Sequence, residues 1–182
     1  MSGLHLDALA LLTSWVAPED SQELLRRQYV AHLVQHPDGL SRSCLPDHIT
    51  ASTLVLSADG KQVLLTLHGK ARRWFQFGGH VEPGDLTLSG AALREATEES
   101  GIPGLELDAV PVHLDAHAVP FCGGPGSRHL DVRFVAVAPA VATPEVSAES
   151  VDVRWWPVEE LPTDEPSMRR LVDLGRDRLR RV

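Results

Sequence analysis

Three carboxylates stand at a spacing that brings them together. In Arg94-Glu95-Ala96-Thr97-Glu98-Glu99-Ser100-Gly101-Ile102 the acids occupy positions i, i+3 and i+4. At about 100° of turn per residue, Glu95, Glu98 and Glu99 share one face of a helix. Like charges at this spacing repel, and each pair costs an isolated helix a few tenths of a kcal/mol. A hard divalent cation, Mg²⁺ or Mn²⁺, would offset them, since such ions prefer carboxylate and carbonyl oxygens. Immediately upstream lies a glycine loop, Gly78-Gly79-His80-Val81-Glu82-Pro83-Gly84-Asp85. Loop and helix together point to a metal site suited to phosphate chemistry.

These residues resemble the Nudix box, a glycine, a spacer and an acid followed by Arg-Glu-apolar-any-Glu-Glu-any-Gly-apolar. Gly79, Arg94, Glu95, Glu98, Glu99, Gly101 and Ile102 match it. Asp85 stands where the family usually has Glu, and eight residues rather than seven separate it from Arg94. The extra residue falls in the loop at the helix start. The resemblance implies an α/β/α sandwich with a curved mixed sheet. It implies hydrolysis of a diphosphate linkage in a nucleoside diphosphate joined to another moiety, with Mg²⁺ or Mn²⁺ as cofactor. A non-catalytic module of the same fold that senses a nucleotide metabolite is the alternative. By the same resemblance Glu95, Glu98 and Glu99 with the carbonyl of Gly79 hold the metal. Arg94 either pairs along the helix with Glu98 or reaches back to Glu82 or Asp85 as a brace; the family favours the brace. The general base is a box glutamate or an acid on a later loop, where Glu149 stands.

The rest of the chain must position this face. Its 182 residues are 43% apolar and 23% charged, ordinary values for a soluble globular protein. The net charge of −8 argues against a nucleic-acid binder, which would cluster Lys and Arg. The expected partner is a small diphosphate compound. Cys44 and Cys122 sit in unrelated contexts with no metal-type spacing, which suggests a reducing, cytoplasmic location. The apolar run Ala8–Val16 lacks the basic flank of a signal peptide and is taken as a helix, and no run approaches the ~20 residues that span a bilayer.

Residues 1–45 are expected to form a helical extension packed on a core domain of residues 46–182. Two helices should run from Leu4 to about His36, the second capped by Asp20 or Ser21 and buried through Leu24, Leu25, Tyr29, His32 and Leu33. The sequence around Ala58-Asp59-Gly60-Lys61 is a hairpin signal. Trp74–Phe77 forms a short strand into the glycine loop, strands follow at Val110–Val119, His129–Ala138 and Val153–Trp156, and a helix runs from Pro166. Sheet edges and the N-terminal helices offer surfaces for a homodimer.

Two later strands alternate. His113, Asp115 and His117 share one face of the first, and His129, Asp131 and Arg133 share one face of the second. Paired antiparallel, these stripes would form one polar surface. It would be a substrate surface with Arg133 meeting a phosphate and His117 and His129 beside it, a second metal cluster, or a solvated sheet face. His80, next to the loop glycines, is placed to touch phosphate or water.

Overall fold

One strand organises the sheet. The computed structural model describes residues 2–119, 122–147 and 150–180, and β1 (Asp47–Leu56) is buried at every position after the first. A strand covered on both faces favours β-branched residues, and Ile49, Thr50, Thr53 and Val55 supply them. On one edge β1 runs parallel to β6 (Arg128–Val137) over its whole length. Its other edge is shared: β2 (Gln62–His68) pairs antiparallel at Val55 and Leu56, and β4 (Phe77–His80) pairs antiparallel from Thr50 to Thr53. β3 (Trp74–Phe75) and β7 (Ser150–Pro157) flank β2, and β5 (Glu106–Ala118) pairs antiparallel with β6 as the far edge. The expected Trp74–Phe77 strand is thus two short strands, because Trp74 and Phe75 pair with β2 and Phe77 onward pairs with β1.

Helices cover both faces, as expected of an α/β sandwich. α3 (Leu88–Ser100) starts at Thr87, whose hydroxyl accepts from the Gly90 N–H at 3.0 Å, and ends at Gly101 in the left-handed conformation, φ 68°. Its buried face carries Leu88, Ala91, Ala92 and Ala96 against Ile49, Ala51 and Val55, the odd-numbered side of β1. α4 (Pro166–Leu179) covers the even side, packing Met168, Leu171 and Val172 on Leu54 and Leu56. That even side changes character along the strand: Leu54 and Leu56 lie in apolar core, whereas His48, Thr50 and Ser52 continue it as polar residues.

α1 (Gly3–Ser14) and α2 (Asp20–Gln35) finish the far edge. The Trp15 indole N–H donates to the Pro111 carbonyl at 2.6 Å. Gln22 accepts from the Leu114 N–H at 2.6 Å and donates to its carbonyl at 3.0 Å, so one buried side chain pairs both backbone groups of a residue on the edge strand. Tyr29 and Leu33 bury as expected, but Leu24 is 59% exposed. Helix α2 is capped at Glu19 without a side-chain bond, rather than by Asp20 or Ser21. Gln22, not an apolar residue, takes the inward position because β5 needs the hydrogen bonds. Among the described residues no helix is long and apolar enough to cross a membrane.

Candidate metal and phosphate site

Gly78 and Gly79 lie on β4 opposite Ser52 and Ala51 of β1. Gly78 has φ +155°, and a Cβ there would fall 2.3 Å from the Ser52 Cβ. Only glycine fits. A Cβ on Gly79 would meet the Glu95 carboxylate at 2.9 Å, so that carboxylate is tucked against bare backbone. Glu99 Oε2 accepts from the Gly78 N–H at 3.3 Å. Glu98, about one turn from Glu95 and next to Glu99, is 61% exposed. Gly79, Glu95, Glu98 and Glu99 line one cleft of about 340 Å³, with Arg42, His80, Glu82, Arg94 and Ser147. A larger cavity of about 510 Å³, beside Trp15, Pro111 and Leu174, carries none of the box residues.

Arg94 ties loop to helix. Its Nε and Nη2 donate to the two Asp85 oxygens, both at 3.0 Å, and Nη2 also reaches the His80 carbonyl at 3.1 Å. This is a bidentate, charge-assisted pair. The remaining Nη1 contacts Glu95 at 3.1 Å and Glu98 at 3.2 Å, so both pairings open at sequence level are made together. Glu82 contributes its N–H to Asp85 Oδ2 at 2.7 Å while its own carboxylate is exposed. The shorter Asp side chain suffices because the Pro83-Gly84 turn brings residue 85 back under Arg94. Burial pushes Asp85 up, but the Arg94 hydrogen bonds and charge outweigh it and hold the carboxyl low. Burial prevails at Glu95, whose pKa is raised despite Arg94. A half-buried carboxylate made costly to ionise is one that a cation would stabilise.

The two alternating stripes do meet, with His113 opposite Arg133, Asp115 opposite Asp131 and His117 opposite His129. They form no solvated face. Asp131 is 3% exposed and accepts from Thr50 at 3.1 Å, from Ser52 at 2.7 Å, from Gln76 at 3.3 Å and from Arg133 Nε at 2.9 Å. Arg133 Nη2 donates to Asp115 at 2.9 Å, and Asp115 also pairs with His117 at 2.9 Å. The geometry therefore corrects the expected role of Arg133: its guanidinium is buried between two aspartates and braces β5, β6 and β1 instead of facing the cleft. His117 and His129 likewise lie off the cleft lining, while His80 is part of it. Glu149 lies outside the described residues.

Sequence reasoning missed Arg42, an exposed cation on the segment between α2 and β1 that lines the acidic cleft. No local pattern marks a single loop arginine. It also missed the company His80 keeps. Burial, then the neighbouring rings, draws His80 down to about 4 and His129 to about 3, so both imidazoles are neutral near pH 7.

The sequence model described as the NUDIX domain matches residues 46–174. Among solved structures, an Ap4A hydrolase from C. elegans superposes with a TM-score of 0.63 at 20% identity, covering 74% of this chain and 98% of that one. The E. coli dihydroneopterin triphosphate pyrophosphohydrolase gives 0.57 at 22% identity, covering 69% and 92%. A NUDIX family hydrolase from Clostridium perfringens gives 0.54 at 24% identity, covering 73% and 96%. At these identities the likeness is one of fold. No curated protein matches the sequence.

Proposed function

Since the chain belongs to the Nudix hydrolase family, we propose that it cleaves the diphosphate linkage of a nucleoside diphosphate joined to another moiety, using Mg²⁺ or Mn²⁺. The convergence of Gly79, Glu95, Glu98 and Glu99 on one cleft carries this reading. The donor set fits the ion. All candidate ligands are hard oxygens, and the Glu95 carboxylate sits where any side chain on Gly79 would displace it. The Gly79 carbonyl and the three glutamates would hold the cation; when bound, it would neutralise diphosphate charge and lower the pKa of a water.

The side chains divide the remaining work. Arg94 is committed to Asp85, Glu95, Glu98 and the His80 carbonyl, so it fixes the helix against the loop and keeps the carboxylates in register. A clamp of this kind holds reacting groups in place before substrate arrives. The N–H of Gly78 orients Glu99. His80 lines the cleft while its Nε2 faces Cys122, so only its Nδ1–H is left to offer a phosphate oxygen or a water. Arg42 lines the cleft as an exposed basic side chain with no ion pair among the described residues, and we assign it to the substrate's phosphates. The two free cysteines fit a reducing, cytoplasmic setting.

The test is a panel of diphosphate compounds, with Ap4A and dihydroneopterin triphosphate among them, assayed for phosphate or nucleotide release with Mg²⁺ and with Mn²⁺. Turnover of at least one that chelator abolishes is expected; binding without turnover across the panel would favour a sensing module. Arg42→Ala should raise KM on the best substrate by about tenfold, the loss of one exposed charge-assisted hydrogen bond, with the melting temperature unchanged. An unaltered KM would remove Arg42 from the site.

A further inference from the structure

Behind the cleft, the sheet gathers a second set of donors of different chemistry. His48 on β1 stands opposite His129 on β6 in the parallel register, and His80 ends β4 on the other side of β1. Their ring centroids form a near-equilateral triangle: 4.8 Å from His48 to His129, 5.0 Å from His80 to His129 and 5.1 Å from His48 to His80. Cys122, from the segment joining β5 to β6, brings its Sγ to 3.3 Å from His80 Nε2 and 3.9 Å from His48 Nε2. One donor atom from each of the four residues lies within 4.8 Å of all the others. A tetrahedral Zn²⁺ needs edges of about 3.3–3.6 Å, given Zn–N near 2.0–2.1 Å and Zn–S near 2.3 Å. Binding would have to draw the more widely spaced donor atoms together by side-chain rotation.

Two further observations point to a ligand. His129 Nε2 is buried with no hydrogen-bond partner among the described residues, a costly state for a polar atom. His48 Nδ1 lies 3.3 Å from the Cys44 carbonyl. That contact sets the proton on Nδ1 and turns the Nε2 lone pair toward His80 and Cys122, as the outer partners of metal-bound histidines do.

We propose that His48, His80, His129 and Cys122 form a zinc site, a closed His₃Cys centre separate from the oxygen donors of the box. Three imidazoles and a thiolate suit zinc and disfavour Mg²⁺ or Mn²⁺. With four protein ligands the centre is structural: it clasps β4, β1, β6 and the β5–β6 connection at one end of the sheet. Since His80 adjoins Gly79, the clasp also holds the glycine loop.

The test is optical and needs no substrate. Chelator-treated protein is titrated with Co²⁺, a spectroscopic stand-in for zinc. At one equivalent the expected result is tetrahedral visible absorption with a near-ultraviolet thiolate-to-cobalt charge-transfer band, both bleached by one equivalent of Zn²⁺. Cys122→Ser, on a half-exposed segment and checked for folding by circular dichroism, should lose the charge-transfer band. Glu98→Gln should keep it. One equivalent of Zn²⁺ should raise the melting temperature of the wild type and of Glu98→Gln but not of a His129→Asn, Cys122→Ser double variant. A wild-type protein without a charge-transfer band at one equivalent overturns the site. A band that persists in Cys122→Ser, or a zinc-induced shift that survives in the double variant, overturns it equally.

Discussion

Glu98→Gln is expected to lower turnover of the best diphosphate substrate by ~10²–10³, about 3–4 kcal/mol, the usual loss when one preorganised charge-stabilising group is removed. The change keeps the side chain's size while removing one negative charge from the cation-binding face. Folding should not suffer. The Glu98 side chain is 61% exposed and its contact to Arg94 at 3.2 Å is an i,i+4 surface pair, worth only a few tenths of a kcal/mol. Relief of repulsion with Glu95 and Glu99 acts in the opposite direction. The melting temperature in chelator should therefore be unchanged or slightly raised, while the Mg²⁺ concentration for half-maximal rate increases. Hydrolysis at the wild-type rate under limiting Mg²⁺ would remove Glu98 from the metal ligands.

The two candidate sites differ in how far the sequence betrays them, for a geometric reason. Glu95, Glu98 and Glu99 are local in the chain, so helix periodicity alone puts them on one face, and the glycine loop lies directly before them. The alternation of His113, Asp115, His117 with His129, Asp131, Arg133 was equally legible, and the two strands do pair antiparallel, a direction that alternation alone does not dictate. What alternation cannot carry is burial. The polar stripe looks like a solvated face until the helices are placed and Thr50 and Ser52 on β1 donate to Asp131. The His₃Cys group leaves no trace in spacing, because His48, His80, Cys122 and His129 come from separate strands and one connection. Cys122, which seemed unrelated to any ligand pattern, is brought to His80 by sheet order alone. Gln22 was hidden for a similar reason: its role depends on where the β5 edge lies.

Arg133→Met should unfold at markedly lower denaturant, with a loss of about 3 kcal/mol, and leave KM nearly unaltered. Removing one member of a buried ion pair typically costs ~3–5 kcal/mol because a charge is left without its partner. Here the lower end applies, since Asp131 keeps Thr50, Ser52 and Gln76 as donors. Acid unfolding adds a signature that a substrate-binding role would not produce. Burial pushes Asp115 up, yet the His117 hydrogen bond and the Arg133 charge hold it at about 2. Against ~3.9 in the unfolded chain, this depressed value contributes stability that is full above pH ~4 and lost as pH falls through 2. Without Arg133 burial gains weight, so that contribution shrinks. His113 moves the other way. Burial first, then the Arg133 charge, lowers it to about 4, so the unfolded chain protonates first, and stability falls as pH drops from ~6.5 toward 4. Removing the arginine relieves His113 and makes that slope shallower. Urea midpoints across pH 3–7 would register both changes at once. A variant with the wild-type midpoint and a raised KM would return Arg133 to the substrate surface and undo its role as the brace between β5 and β6.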